Sequence, residues 1–163
     1  MALDRYYPNH NAFLKSCPDR SSLVVCFTNG CFDLLHPGHV RYLEEVRALG
    51  GFLIVGLNSD ASVTRLKGRG RPIQNEVARA TVLCGLRSVD AVIRFDDDTP
   101  LSLIAAIKPD ILAKGADYTY EAVVGKDVVE KNGGKVVLVP FTVGYGTSDI
   151  VARIKGSIGC LDS

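Results

Sequence analysis

The chain lacks any apolar run long enough to cross a bilayer. Its longest, such as Leu23–Phe27 and Phe52–Leu57, fall far short of the roughly 20 residues a spanning helix needs. It also lacks the basic, apolar and small-residue succession of a signal peptide, so no membrane association is expected and the expected location is cytoplasmic. Net charge is nearly absent: 19 basic against 18 acidic residues give +1. That balance supplies no global field to draw in nucleic acid, so any anion has to be held locally. Cysteine is present but poorly suited to a disulfide framework, because the five residues are odd in number and form no CxxC pair. Cys26 and Cys84 sit in apolar stretches, where a reduced thiol packs as a small hydrophobe. Internal repeats, low-complexity blocks and linkers are missing too.

What remains is 163 residues, 47% of them hydrophobic, enough for one compact domain with a substantial core. The expected organisation is a single domain over 1–163, with a core from about 24 to 154 and peripheral segments at 1–20 and 157–163. Apolar β-rich runs at Leu23–Phe27, Phe52–Leu57, Ala91–Phe95, Asp110–Ala113 and Lys135–Val139 alternate with amphipathic stretches. This alternation predicts an α/β, Rossmann-like fold with a mostly parallel five-stranded sheet and helices on both faces. One helix is expected to start at Pro37, turn Tyr42, Val46 and Leu49 to one face, and stop at Gly50-Gly51. Another covers Asn75 to Leu86, and a third follows Thr99-Pro100, read as an N-cap and an N1 proline. A last helix starts near Thr147 and runs through Ile154.

The chemistry concentrates in Thr28-Asn29-Gly30-Cys31-Phe32-Asp33-Leu34-Leu35-His36-Pro37-Gly38-His39, between the first of these strands and its helix. In a doubly wound sheet, ligands bind at this kind of position, beside a helix N-terminus. Gly30 and Gly38 let a ligand approach the backbone, and His36 and His39, three apart, can face one bound group. Two ring donors at a helix start suit a phosphate whose negative charge grows in a transition state. A zinc site of Cys26, Cys31, His36 and His39 is the alternative, although its spacing matches no common structural zinc pattern. The acidic run Asp96-Asp97-Asp98 can be read as a magnesium site, but it precedes a helix start where the macrodipole favours carboxylates on structural grounds.

The Thr28–His39 run resembles the HxGH signature of the cytidylyltransferase-like nucleotidyltransferases. The likeness continues through Gly56-Leu57-Asn58-Ser59-Asp60-Ala61-Ser62-Val63, Arg65-Leu66-Lys67-Gly68 and Arg71-Pro72-Ile73, then Val89-Asp90, Thr99-Pro100-Leu101, Pro109 to Tyr118 and Gly144 to Ile150. Within the family it is most similar to the adenylyltransferases of ADP-heptose synthesis, which act on D-glycero-β-D-manno-heptose 1-phosphate. The resemblance implies a nucleotide site at Thr28, Asn29, Gly30, Phe32, Gly38, Arg79, Lys114, Gly115, Thr147 and Ser148, and acceptor contacts from Asp33, Asn58 and Arg71. It implies that His36 and His39 hold the triphosphate and stabilise charge at its α-phosphorus, while Lys67 closes over the phosphates as a mobile point charge.

Two departures stand out. Gly146 and Ser148 alter the Gly-x-Ser-Thr-Thr turn near the C-terminus, so one phosphate contact is missing or comes from backbone; Ala116 replaces a second glycine after Lys114-Gly115. The resemblance further implies ATP and a phosphorylated sugar as substrates, Mg2+ carried mainly by the nucleotide phosphates with no protein metal site, a homodimer, and a separate sugar kinase upstream. A glycerol-3-phosphate or related cytidylyltransferase using CTP is the alternative acceptor class. Against it stands Phe141, after Pro140, where the glycerol enzymes typically carry an arginine. A non-catalytic nucleotide-binding module is the alternative from another class.

Overall fold

The computed structural model describes residues 3–16, 22–140 and 144–158. Six parallel strands form one sheet in the order β1-β4-β3-β2-β5-β6: β1 (Tyr6–Tyr7), β2 (Val25–Gly30), β3 (Phe52–Asn58), β4 (Ala91–Phe95), β5 (Ile111–Gly115) and β6 (Lys135–Val139). The period-2 alternation of strand side chains sorts the core into two layers. Cys26, Leu53, Val55 and Leu57 face one layer with α2 (Pro37–Ala48) and α4 (Glu76–Cys84). Phe27, Ile54, Ile93 and Leu112 face the other with α1 (His10–Ser16), α5 (Leu101–Ile107) and α6 (Lys126–Lys131). The two remaining α-helices are α3 (Asp60–Lys67) and α7 (Thr147–Ile158).

The sheet therefore has six strands rather than the expected five. The extra one is β1, with Tyr6 opposite Val92 and Tyr7 opposite Ile93. Two residues carry no periodicity to read, and only pairing with the β4 edge makes them a strand. Near the N-terminus α1 places Phe13 in the core with no exposed surface and edge-on to Tyr7 at 5.0 Å. At the other end α7 reaches Ile158, and the remainder of the tail lies outside the described residues.

Helix boundaries hold two further corrections. On α2 the buried face comprises Tyr42, Leu43 and Val46; Leu49 falls past the last helical residue and is exposed. The start of α5 is capped at Pro100 without any side-chain hydrogen bond, so Thr99 is no N-cap and is left to the cleft. By contrast Asn75 caps α4 by accepting from the Ala78 N–H at 2.9 Å. The run after Asn58 forms α3, capped by Ser59, whose hydroxyl oxygen accepts from the Ser62 N–H at 3.0 Å. Among the described residues no helix is long and apolar enough to cross a membrane.

Candidate functional site

Strand order reverses between β2 and β5, since β3 lies beside β2 on one side while β5 pairs with it on the other. The crevice outside the carboxyl ends of these strands is where an open parallel sheet receives ligands. A cleft of about 470 Å³ opens there. Of the residues anticipated from sequence, Asn29, Gly30, Phe32, Asp33, His39, Asn58, Lys67, Arg71, Lys114, Thr147 and Ser148 line it, drawn from both ends of the chain.

The turn from β2 to α2 is built around two histidines. His36 is the N-cap of α2: it has extended backbone, its Nδ1 accepts from the His39 N–H at 3.4 Å, and Pro37 supplies the first helical residue. An accepting Nδ1 places the proton of the neutral ring on Nε2. His39 stacks on His36 with ring centroids 3.8 Å apart, and on its other side meets Phe32 at 5.3 Å. Burial pushes the pKa of both histidines down, that of His39 to about 4, with the neighbouring imidazole adding to the effect. Near neutral pH both rings are therefore uncharged hydrogen-bonding groups. His39 Nδ1 is buried with no partner.

Two glycines make this packing possible. A Cβ on Gly30 would stand 3.0 Å from the Phe32 ring, and one on Gly38 would stand 3.0 Å from His36 Nδ1 and 3.2 Å from Tyr145 Cβ. Phe32 adopts a left-handed φ of 45° to lay its ring over Gly30, and at 7% exposure it is a wall of the cleft more than an open stacking platform.

Of the residues expected to contact an acceptor, Asp33 and Arg71 are tied to each other. Asp33 accepts from Arg71 Nη1 at 2.6 Å, Ile73 N–H at 2.8 Å and Gln74 N–H at 3.0 Å, so its carboxylate hangs the 71–74 segment on the β2–α2 turn. Asn58 donates to the Ser62 hydroxyl at 3.0 Å. Lys67 ends α3 as an exposed cation at the cleft rim. Across the cleft Lys114 donates to Asn29 Oδ1, joining the ends of β5 and β2. Thr147 Oγ1, at the start of α7, lies 3.4 Å from the Leu34 carbonyl and brings that helix beside the histidine turn. A Cβ on Gly146 would come within 2.9 Å of Asp149 Oδ2, a crowding that suits glycine at this departure from the expected turn.

Five anticipated residues do not line the cleft. His36 backs His39, and Gly38 makes room for it. Thr28 is buried with its hydroxyl engaged by Tyr42 Oη at 2.8 Å. Gly115 is buried at the end of β5. Arg79 is 1% exposed beneath the cleft, donating to the carbonyls of Gln74, Cys31 and Asn58 and to Asp60 Oδ1 at 2.6–3.0 Å. Thr99 and Tyr118, given no site role from sequence, line the cleft, as do Cys31 and Asp98, which the sequence offered only as alternative metal ligands. Thr99 and Tyr118 fell within quoted runs, but nothing in their spacing marked them as cleft-facing. Cys26, offered as a zinc ligand, lies in the core with its thiol pushed up to about 11 by burial. Asp96, Asp97 and Asp98 accept from Ser59, Ser102 and Arg65 respectively. Phe141 lies outside the described residues.

The cytidylyltransferase-like family matches residues 27–153, a span that contains every cleft residue named above. The chain belongs to the cytidylyltransferase-like family. This nucleotidyltransferase domain is 59% identical over 133 residues to the bifunctional protein HldE of Hyphomonas neptunium, covering 82% of this chain and 27% of that protein. It is 61% identical over 133 residues to the bifunctional protein HldE of Caulobacter vibrioides, covering 82% of this chain and 28% of that protein. The chain thus spans little more than a quarter of the length of these curated relatives. Among solved structures, the lipopolysaccharide core biosynthesis protein of Thermoplasma volcanium superposes with a TM-score of 0.61 at 30% identity, covering 74% of this chain and 97% of that one. Pantothenate synthetase of Thermus thermophilus, at 16% identity and a TM-score of 0.58 over 83% of this chain and 61% of that one, shares the cytidylyltransferase-like fold.

Proposed function

We propose that this domain transfers AMP from ATP to a sugar 1-phosphate, D-glycero-β-D-manno-heptose 1-phosphate, giving ADP-heptose and pyrophosphate. The observation that carries the reading is the convergence of its heptose-like segments. The Asn58–Ser62 run and Lys114-Gly115 with Asp117-Tyr118 lie far apart in sequence, yet each contributes residues to one cleft around His39, beside Thr147 and Ser148 of the family's C-terminal turn.

An oxygen of the acceptor phosphate attacks the α-phosphorus in line, and pyrophosphate departs from the opposite side. A phosphate monoester is already anionic near neutral pH, so the attacking oxygen needs no general base, and positioning with charge stabilisation supplies the acceleration. His39, supported by His36, donates to the charge that builds on the α-phosphoryl oxygens. Lys67 at the rim and Thr147 with Ser148 at the start of α7 hold the remaining phosphates. Asp33, Asn58 and Arg71 contribute the acceptor side. The cofactor is Mg2+, which when bound neutralises phosphate charge. The cleft-lining carboxylates Asp33 and Asp98 are bonded to Arg71 and Arg65, a donor set that fits an ion carried by the substrate's phosphates. We propose a homodimer and a sugar kinase that supplies the phosphorylated acceptor as the companions of this activity.

The test is a pyrophosphate-release assay that pairs ATP or CTP with the heptose 1-phosphate or glycerol 3-phosphate. Turnover restricted to ATP with the heptose phosphate is the expected result. Turnover with CTP and glycerol phosphate would replace the reading, and nucleotide binding with no release from any pairing would make the domain a binding module.

A further inference from the structure

A lysine ammonium is buried under the cleft without a counter-ion. Lys114, on β5, is 8% exposed; its Nζ donates to Asn29 Oδ1 and sits 5.3 Å from the centroid of the Tyr118 ring. None of the ion pairs among the described residues includes it. The titratable groups that face it are Asp117 and Tyr118, on the turn after β5, and Cys31, on the turn after β2. Asp117 is exposed to solvent. An amide oxygen and an aromatic face offer partial negative charge only, and Asn29 occupies one of three N–H donors.

Taking an ammonium out of water without an anion is costly, and a linear apolar side chain would fill the same space without that cost. Burial accordingly lowers the Lys114 pKa to about 8. The other positive groups of the cleft do not duplicate it. Of its three Lys and Arg side chains, Arg71 is paired with Asp33 and Lys67 is exposed, while the two histidines are neutral near pH 7. Lys114 is the one fixed, unpaired cation among the described cleft residues.

We propose that Lys114 is the counter-charge for a phosphate of a bound substrate, and that this phosphate draws a proton from solvent onto Lys114 as it binds. The inference deepens the nucleotidyltransferase reading and rests on it, but not on which base or acceptor is used. The phosphate belongs either to the triphosphate or to the acceptor, a distinction for separate titrations.

Calorimetric titrations of the full chain at about pH 8, in two buffers of different ionisation enthalpy, test it with Mg·ATP, Mg·CTP and glycerol 3-phosphate as separate probes. Wild type is expected to take up a fraction of a proton with the ligand whose phosphate meets Lys114. Lys114→Met is expected to lose that uptake and to bind the same ligand about tenfold or more weakly, the loss of one charged hydrogen bond. Its unliganded unfolding midpoint is expected to equal or exceed that of wild type, because an unpaired charge has left the interior. Binding by Lys114→Met as tight as wild type for every probe, or a lowered unliganded midpoint, overturns the proposal, as does wild-type binding without proton uptake. Wild type that binds none of the probes overturns the nucleotidyltransferase reading beneath it, which separates the two failures.

Discussion

His36 and His39 stack with 29° between their ring planes, and the same His36 ring that supports His39 also caps the helix on which His39 sits. Cap and donor are thereby one device: the helix start fixes the His36 ring, and the His36 ring fixes the face that His39 turns to the cleft. Tyr145 extends the stack on the far side of His36, with 15° between planes at 6.4 Å.

Removing the front ring should be felt in turnover. His39→Ala is expected to lower kcat about 10²- to 10³-fold, the range for losing one donor to a developing charge. Pyrophosphate release under saturating substrates measures it; a full-rate variant would take the histidine pair out of the mechanism.

The same burial makes stability depend on pH. An unfolded imidazole titrates near 6.5, whereas His39 in the fold titrates at about 4 and His36 is shifted in the same direction. Between these values the unfolded chain binds more protons, so unfolding free energy rises with pH through this window and is lost as pH falls from about 6.5 to 4. His39 alone should contribute about 2–3 kcal/mol to that loss. Denaturant titrations at several pH values, compared with His39→Gln, should show a flatter profile for the variant.

Arg79 ties the turn after β2, the end of β3, the 71–74 segment and α3 through one guanidinium. Arg79→Met leaves Asp60 and three carbonyls without their donor, and should cost about 3–5 kcal/mol of stability. Urea unfolding gives the number. If Arg79 instead acted chiefly on nucleotide, affinity for ATP would fall while the unfolding midpoint stayed in place.

Phe13 tests whether the N-terminal segment belongs to the core. Phe13→Ala should destabilise the chain by about 3–5 kcal/mol through loss of burial and the cavity left against α5 and β4. Thermal melting with and without the substitution decides it, and a negligible shift would make the segment an appendage.

The strands at Ala91–Phe95 and Lys135–Val139 were legible to the residue, because an apolar run flanked by breakers has few other readings. The histidine turn was legible for a related reason: Pro37, two glycines and two histidines within the ten residues Gly30–His39 leave little freedom for the backbone. The N-cap at Thr99 was misread because a threonine before a proline carries the same local signal whether or not its hydroxyl reaches a helix N–H. Arg79 defeated sequence reasoning outright. Its position on α4 is compatible with a solvated charge or a ligand contact, and only the arrival of three carbonyls from three separate segments makes it internal.

The sequence by itself determined the alternating strand and helix pattern, the parallel sheet, and the residues of the turn after β2, since each depends on side-chain period and backbone permission within a short window. Tertiary structure alone decided that Tyr6–Tyr7 joins the sheet, that Asp33 is spent on Arg71 and the 73–74 backbone, and that Lys114 is buried beside Asn29 without a counter-ion. Those outcomes depend on groups 38 to 86 residues apart coming within bonding distance, and no local preference encodes such a meeting.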